Sequence, residues 1–123
     1  MLASDAVIVP VQPAPMDYRA AGTMLPLLMD VSAVKPDIRV FIVLNRKQTN
    51  NLGKEARAAA EQYFAVDGLN LKVLQTIIGN RTAFTEAPAS GRTVLDYAPK
   101  STAAGEVLQL TQEVIQCLTS ELA

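Results

Sequence analysis

Polar and basic side chains follow each of three apolar runs in the sequence. They are Gln12 after the first run, Asn45, Arg46 and Lys47 after the second, and Asn80 and Arg81 after the third. If the runs are parallel strands, their carboxyl ends meet at one edge of an open α/β sheet, where such sheets bind ligands. Amides and cations gathered there would suit a polar or anionic ligand. Strand-end loops are also polar because they are solvated, so spacing alone leaves both interpretations open.

The sequence lacks the usual catalytic groups. It contains no histidine, which excludes His–metal sites and both Ser-His-Asp and Cys-His catalysis. A single cysteine excludes an internal disulfide and a multi-cysteine metal site. There is no G-x-x-x-x-G-K-[ST] motif, and no apolar strand ends in an aspartate that could hold Mg²⁺. We therefore expect no catalytic residue and no metal site in this chain.

Asp17, Asp96 and Cys117 carry groups that could be reactive, but each is better explained by a structural or solvated role. Asp17 suits a helix cap better than a catalytic base, because its carboxylate can accept from the free N–H groups of a first helical turn. Asp96 has no second carboxylate at a useful spacing and is expected to be solvated. Cys117 lies on the margin of a helical apolar stripe, so we predict a half-buried structural thiol with no cationic neighbour to activate it.

The composition is that of one globular domain without a strong charge bias. The 123 residues are 50% apolar with a formal net charge of −1, so nothing draws the whole chain to nucleic acid or an anionic membrane. Arg46, Lys47, Lys54 and Arg57 could form a local phosphate-contacting patch, but ordinary solvated charge is the favoured interpretation. No apolar run approaches the roughly 20 residues that span a bilayer. The N-terminus lacks the features of a secretory signal, and we expect a cytoplasmic protein.

The three apolar runs predict parallel strands. They are AVIVPV (Ala6–Val11), IRVFIVLN (Ile38–Asn45) and LKVLQTII (Leu71–Ile78). Each run is nearly continuous in apolar residues, whereas a one-sided hairpin strand would alternate. This pattern is typical of parallel strands covered by helices on both faces.

Four helical patterns lie between and after the strands. They run from about Asp17 to Val34, Asn51 to Phe64, Thr82 to Ala87 and Ser101 to Leu122. Pro26 is expected to bend the first helix and Pro88 to end the third. The order β-α-β-α-β-α-α predicts a doubly wound α/β fold in three αβα layers, formed by one domain over residues 1–123.

Three segments at these loops resemble ParA-type partition ATPases, which belong to the deviant Walker (ParA/MinD) group. SDAVIVPVQPAPMDYRAAGTML resembles the strand, proline-rich turn and helix that follow the Walker B region of that family. FIVLNR resembles the next strand, which ends in Asn-Arg. VLQTIIGNRTAFTEAPASGRTVLDYAPKSTAAGEVLQLTQEV resembles the C-terminal stretch, with its Pro-Lys-Ser loop and final helix. The motifs are individually loose, but their order and spacing are fairly specific and cover essentially the whole chain.

The resemblance implies a partial P-loop NTPase-like fold, corresponding to the C-terminal half of a nucleotide-dependent ATPase. Such proteins dimerise around ATP, bind DNA non-specifically and segregate plasmids or chromosomes. By this resemblance, the nucleotide-binding residues would be Asn45, Arg46, Pro99 and Lys100. The strand-end turn and interface would contain Gln12, Pro13 and Asp17. The candidate DNA contacts would be Arg81 and Lys100. Asn45 would read the adenine edge.

The sequence departs from the family by lacking its Walker A and Walker B segments. The parent family uses ATP and Mg²⁺, but without a phosphate cradle we predict no cofactor and no ATP hydrolysis for this chain alone. In the family's sheet the P-loop strand lies beside the strand that matches Val7 to Val11. That strand would therefore have a bare edge here.

A bare apolar edge strand invites pairing with another chain, so we predict a homodimer formed through this edge or by helix exchange. Pro10 limits one stretch of the edge because it has no N–H. Two alternatives to the partition-ATPase interpretation stay open. One is a dimeric interaction module or modulator of a full-length partition ATPase, and the other is a stand-alone binder of a nucleotide or small anion.

Overall fold

A three-stranded parallel sheet forms the centre of the protein. The computed structural model describes residues 6–47, 53–65, 68–79 and 81–120. The strands are β1 (Ala6–Val11), β2 (Arg39–Lys47) and β3 (Leu71–Gly79), in the spatial order β1-β2-β3. Both pairings are parallel, and β1 and β2 run in unbroken register from Ala6 opposite Arg39 to Val11 opposite Leu44. The predicted α/β class and parallel strands are confirmed.

The central strand β2 is buried on both faces, as its continuous apolar run predicts. Val40, Ile42 and Leu44 contribute to the core on one side of the sheet, while Phe41 and Val43 contribute to the core on the other. All five are at most 3% exposed. Because side chains alternate along a strand, only a strand with helices on both faces buries two successive residues in this way.

Six helices are present among the described residues. They are α1 (Pro15–Gly22), α2 (Leu25–Val34), α3 (Gly53–Tyr63), α4 (Ala83–Ala89), α5 (Val94–Tyr97) and α6 (Thr102–Ser120). Ser101, the predicted first residue of the last helix, caps α6, since its Oγ accepts from the Ala104 N–H at 3.1 Å. The observed order is β-α-α-β-α-β-α-α-α, so the sequence missed a break in the first helix and the short helix α5.

The first helical pattern is divided at Thr23 instead of bending at Pro26. The Thr23 hydroxyl donates to the Ala20 carbonyl at 2.6 Å, and the Met24 N–H donates to the Ala21 carbonyl in a tight turn. Pro26 then falls within the first two positions of α2, where a helix needs no N–H donor. The predicted bend at Pro26 was therefore wrong, because proline fits the start of a helix better than its interior.

Two other predicted helix boundaries were wrong. Ala14 is the N-cap of α1, and no side chain caps that helix, so Asp17 lies in the first turn instead of at the cap. Pro15 starts the helix two residues earlier than expected, in a position that suits its fixed φ. Pro88 lies inside α4, which ends one residue later at Ala89.

The first helical layer covers the face of the sheet that carries Val40. Tyr18 of α1 and Phe64 after α3 pack together with their ring centroids 5.8 Å apart, and both are nearly fully buried. The Tyr18 hydroxyl donates to the Ala56 carbonyl at 3.1 Å and joins α1 to α3. Burial raises the pKa of Tyr18, so the phenol stays a hydrogen-bond donor.

The second helical layer covers β3 and β2 but leaves β1 open. Val114 and Leu118 of α6 pack against the core formed by Phe41, Val43, Leu74 and Ile78. By contrast, Ile8 of β1 lies on the same face of the sheet and is 45% exposed. The outer side of α6 also leaves Leu108 and Ile115 exposed.

Candidate functional site

A cavity of about 700 Å³ lies where the open face of β1 meets α4 and α6. Its apolar wall includes Ile8, Pro10, Val43, Phe84 and Leu110, and its polar lining includes Gln12, Asn45, Arg81 and Thr85. The cavity extends to the carboxyl ends of the strands, the edge at which the sequence predicts a ligand site. An apolar wall with a few converging polar groups is the usual composition of a small-molecule site.

The parallel register brings the polar lining together. Pro10 lies opposite Val43, so Gln12, just past β1, and Asn45, near the end of β2, lie side by side two residues further along. Beyond β1 the Ala14 N–H donates to the Gln12 carbonyl at 2.8 Å, which turns the chain into α1. Gln12 is exposed and Asn45 is half-buried, so both amides are accessible from the cavity.

Arg81 contributes the cation of the cavity, but it is already bound to a carboxylate. Its Nε lies 3.1 Å from Glu106 Oε1, and its Nη2 lies 3.3 Å from Oε2. The hydrogen bond and the charge of Glu106 raise the pKa of Arg81. The Gly79 N–H also donates to Glu106 Oε2 at 3.2 Å. The pair leaves this side of the cavity with little net charge, which suits an uncharged polar ligand group better than a phosphate.

A side chain at the end of β3 would displace Arg81. A Cβ built on Gly79 would lie 2.7 Å from Arg81 Nε and 2.9 Å from its Cζ, closer than real contacts allow. The guanidinium therefore packs directly over the Gly79 backbone. This close approach allows Glu106 to bind the backbone N–H and the side chain at once.

The structure brings together only some of the predicted site residues. Gln12, Asn45 and Arg81 line the cavity, whereas Pro13, Asp17, Pro99 and Lys100 are not among its lining residues. Pro99 and Lys100 are exposed in the turn before α6. The Arg46, Lys47 and Lys54 side chains and all of Asn80 lie outside the described residues.

Sequence reasoning missed Glu106 and Glu113, the two acidic residues that α6 directs at the sheet. Glu113 Oε2 accepts from the Gln75 N–H at 2.7 Å, and its Oε1 accepts from the Thr76 N–H at 2.8 Å. They are the only charged residues between Thr102 and Ser120. Two carboxylates seven residues apart on the sheet-facing side of an otherwise uncharged helix were the available signal, because a half-buried charge needs a partner.

The contacts of Glu113 favour its charged form. Burial alone raises the pKa of Glu113, but the hydrogen bonds from Gln75 and Thr76, with Lys72 nearby, together outweigh burial and leave the pKa lowered. A carboxylate that accepts from two backbone N–H groups is stabilised as the anion. Glu113 therefore fixes α6 to β3 in its ionised state.

Cys117 is half-buried as predicted, but it has a cationic neighbour that the sequence did not suggest. Lys72 Nζ lies 3.2 Å from Cys117 Sγ. The two residues meet because α6 crosses β3, a contact 45 residues apart in the chain. The expectation that no cation lies beside this thiol was wrong, since sequence spacing carries no information about the crossing.

Within the described part of the chain, no cluster of three or more acidic, histidine or cysteine side chains could hold a metal ion. No described helix is long and apolar enough to cross a membrane.

Comparison with known proteins supports the family resemblance. The chain is 24% identical over 116 residues to maintenance of carboxysome distribution protein A of Halothiobacillus neapolitanus, a match that covers 94% of this chain and 51% of the relative. It is 28% identical over 120 residues to sporulation initiation inhibitor protein Soj of Bacillus subtilis, a match that covers 93% of this chain and 44% of the relative. No family model matches the chain, and no solved structure matches it.

These matches confirm the resemblance to ParA-type proteins that the sequence motifs indicate. Each match extends over more than nine-tenths of the chain, so the likeness does not depend on a single motif. The chain spans about half the length of the curated relatives it matches.

Proposed function

We propose that this chain forms the base-binding side of a nucleotide site in a partition-type ATPase. The observation that carries the proposal is the cavity in which Asn45 and Gln12 lie beside an apolar wall. In the ParA-type proteins that the chain resembles, the asparagine that matches Asn45 reads the adenine edge. An amide donates and accepts at once, which matches the adjacent donor and acceptor of an adenine ring.

The charge of the cavity supports the base and not the phosphates as its ligand. Glu106 neutralises Arg81, and the chain has no glycine-rich loop that would cradle phosphates. Hydrogen bonds from one amide contribute only about 1 kcal/mol each, so they bind a base weakly without a phosphate site. The chain alone is therefore expected to bind adenosine and ATP with similar low affinity and to hydrolyse neither.

Calorimetry with adenosine, ADP and ATP tests this assignment. We expect weak binding of all three, abolished by Asn45→Ala and unchanged by Asn70→Ala. Asn70 is the matched control, because it is an exposed asparagine that precedes β3 at the opposite end of the sheet. Tight binding that requires the phosphates would instead favour a stand-alone nucleotide or anion binder. Phosphate release that persists through rigorous purification would contradict the predicted lack of hydrolysis.

A second candidate function is a dimeric interaction module, and the open side of β1 favours it. Among the described strands, β1 pairs only with β2, and Ile8 is 45% exposed beside the unpaired edge. An exposed apolar edge strand is a template for pairing with another chain. We propose that the chain self-associates through this edge, either by itself or as a modulator of a full-length partition ATPase.

Light scattering separates the two candidates. A stable dimer at micromolar concentration that binds no nucleoside would favour the interaction module. A monomer that binds adenosine through Asn45 would favour the nucleotide-site assignment and contradict self-association. A dimer that also binds adenosine through Asn45 would support both, because the backbone edge of β1 and the two amides are different groups.

A further inference from the structure

Arg81 and the Gly79 backbone direct three N–H donors at one pair of oxygens beside the cavity. The guanidinium donates from Nε to Glu106 Oε1 at 3.1 Å and from Nη2 to Oε2 at 3.3 Å. The Gly79 N–H donates to the same Oε2 at 3.2 Å. Donors that converge in this way, one of them a cation, form a binding site for an oxyanion.

The donors and the carboxylate come from different elements. Gly79 ends β3 and Arg81 follows two residues later, whereas Glu106 reaches them from α6, 25 residues further along the chain. Because Gly79 has no side chain, the guanidinium packs directly over the backbone, where a Cβ would lie 2.7 Å from Arg81 Nε. The end of β3 therefore supplies a set of donors, and α6 supplies the anion that fills it.

A phosphate group would offer these donors the same acceptors as the carboxylate does. The fork of an arginine binds carboxylate and phosphate oxygens with the same bidentate geometry. A backbone N–H adds a third bond, and the site lies at the carboxyl end of a parallel strand, where open α/β sheets bind ligands. The donor set itself therefore suits a phosphate as well as it suits Glu106.

The donors lie where a ligand in the cavity would meet them. Gly79 and Arg81 both line the cavity, together with Gln12 and Asn45, whereas Glu106 is not among the lining residues. The Glu106 side chain is 14% exposed and that of Arg81 is 34% exposed. A phosphate entering the cavity would meet a guanidinium that is already paired, with a carboxylate of its own sign directly beside it. Both effects oppose phosphate binding.

We propose that Arg81 and the Gly79 N–H form a phosphate-binding site that Glu106 occupies within the chain, so that Glu106 excludes phosphorylated groups from the cavity. This rests on the base assignment proposed above, and it adds the residue that selects against the phosphates of the ligand. Glu106 is then a specificity-determining residue. With it the cavity takes the uncharged base of a nucleotide, and without it the cavity takes a phosphate.

Calorimetry of Glu106→Gln with adenosine and AMP tests this selection. Glutamine keeps the length of the side chain and an oxygen that can accept from the Gly79 N–H, but it removes the negative charge. The dissociation constant of adenosine divided by that of AMP should be at or below one in the wild type. It should rise roughly tenfold in Glu106→Gln, because the released guanidinium forms charge-assisted bonds with phosphate. A ratio that Glu106→Gln leaves unchanged overturns the proposal.

Glu61→Gln is the matched control for the change in net charge. It releases Arg57, whose Nη1 lies 2.7 Å from Glu61 Oε1 on α3, and α3 packs on the opposite face of the sheet from the cavity. The ratio should stay at its wild-type value. Adding Arg81→Gln to Glu106→Gln should abolish the gain. A gain that appears in Glu61→Gln, or that survives the loss of Arg81, would show that net charge is responsible and would contradict the assigned site.

Inorganic phosphate tests the site without a base. In a ¹H–¹⁵N NMR titration of Glu106→Gln, the Gly79 amide and the Arg81 Nε–H signals should shift together and saturate. Chloride at equal ionic strength should not reproduce the shifts, and the wild type should show none. Glu106 acting only as a structural link between α6 and β3 would predict no saturable shift in the variant, and that result overturns the proposal.

A second variant keeps the inference open to refutation if Glu106→Gln does not fold. Glu106→Asp withdraws the carboxylate by one methylene from Arg81 and Gly79, so it should raise the ratio of dissociation constants by a smaller factor. A ratio equal to that of the wild type would count against the proposal. The wild type alone is also decisive, since tighter binding of AMP than of adenosine would show that Glu106 excludes nothing.

The outcomes separate this inference from the base assignment. If Asn45→Ala leaves adenosine binding unchanged, the base assignment fails, and the phosphate titration still decides whether Arg81 and Gly79 form the site. If adenosine binding depends on Asn45 but Glu106→Gln gains no affinity for AMP or phosphate, the base assignment stands and this inference fails. A gain for duplex DNA without a gain for AMP would assign the released arginine to nucleic acid and overturn its role in the cavity.

Discussion

Replacing Glu113 by glutamine should destabilise the protein by about 1–2 kcal/mol near neutral pH. The carboxylate accepts from the Gln75 and Thr76 N–H groups at 2.7 and 2.8 Å. Hydrogen bonds to charged groups contribute about 1.5–3 kcal/mol each in favourable settings. Glutamine keeps one carbonyl acceptor but turns an NH₂ donor towards the other N–H. Because Glu113 is only half-buried, solvent screening reduces the loss to the lower part of the range.

The pH dependence gives this prediction its sharpest form. The folded pKa of Glu113 is lowered from its ordinary value of 4.5, so the native state binds this proton less readily than the unfolded chain. Its stabilisation is therefore complete above pH 4.5 and is lost as pH falls through the folded pKa. The wild type and Glu113→Gln should differ most at pH 7 and converge in acid.

Urea unfolding at pH 7, 5, 4 and 3 measures this difference at protein concentrations below the dimerisation range. The matched control is Glu61→Gln, which removes an exposed carboxylate 2.7 Å from Arg57 on α3 and should cost less than 1 kcal/mol. A difference between wild type and Glu113→Gln that stays constant from pH 7 to pH 3 would refute the reasoning. So would a Glu113→Gln protein as stable as wild type at pH 7.

Three further substitutions test other contacts. Tyr18→Phe removes the hydroxyl bound to the Ala56 carbonyl and should cost about 1 kcal/mol by thermal or urea unfolding; an unchanged midpoint would mean that this bond is not made in solution. Gly79→Ala places a Cβ against the guanidinium of Arg81, which must move aside and weaken its ion pair with Glu106, and should lower the melting temperature by a few degrees; full stability would show that the Arg81 side chain moves aside without cost. Lys100→Gln should weaken non-specific DNA binding and its salt dependence, as the family resemblance implies, whereas DNA binding that ignores Lys100 would contradict that assignment.

The strands were predictable because they depend on local sequence. The observed β1 matches the predicted Ala6–Val11, and β3 begins at the predicted Leu71. Continuous apolar runs favour parallel pairing, which also fixes the side of the sheet where loops converge. The expected cover on both faces is found for β2, whereas Ile8 of β1 is exposed. The approach of Gln12 and Asn45 follows from that register, so the sequence located the two amides of the candidate site.

The remaining features depend on contacts that residue spacing does not encode. Arg81 was assigned as a possible DNA contact, but Glu106, 25 residues later, binds it and changes its charge environment. Lys72 reaches Cys117 because α6 crosses β3. Pro26, expected to bend the first helical pattern, lies in the first turn of α2, where a helix needs no N–H donor. Pro88, expected to end the next-to-last pattern, lies in the last turn of α4, one residue before its end.

A single helix, α6, contacts both the cavity and the backbone of β3. Glu106 neutralises Arg81 at the cavity, and Glu113, two turns further along α6, occupies the β3 edge. The two carboxylates are the only charges of α6, so a shift of this helix along the sheet would release both contacts together. Ligand binding at the cavity and hydrogen exchange at the β3 backbone should therefore be coupled through the position of α6. A ligand that draws Arg81 away from Glu106 should loosen the helix and increase hydrogen exchange at Gln75 and Thr76. Exchange at those amides that is unaffected by a saturating ligand would show that the two ends of the helix act independently.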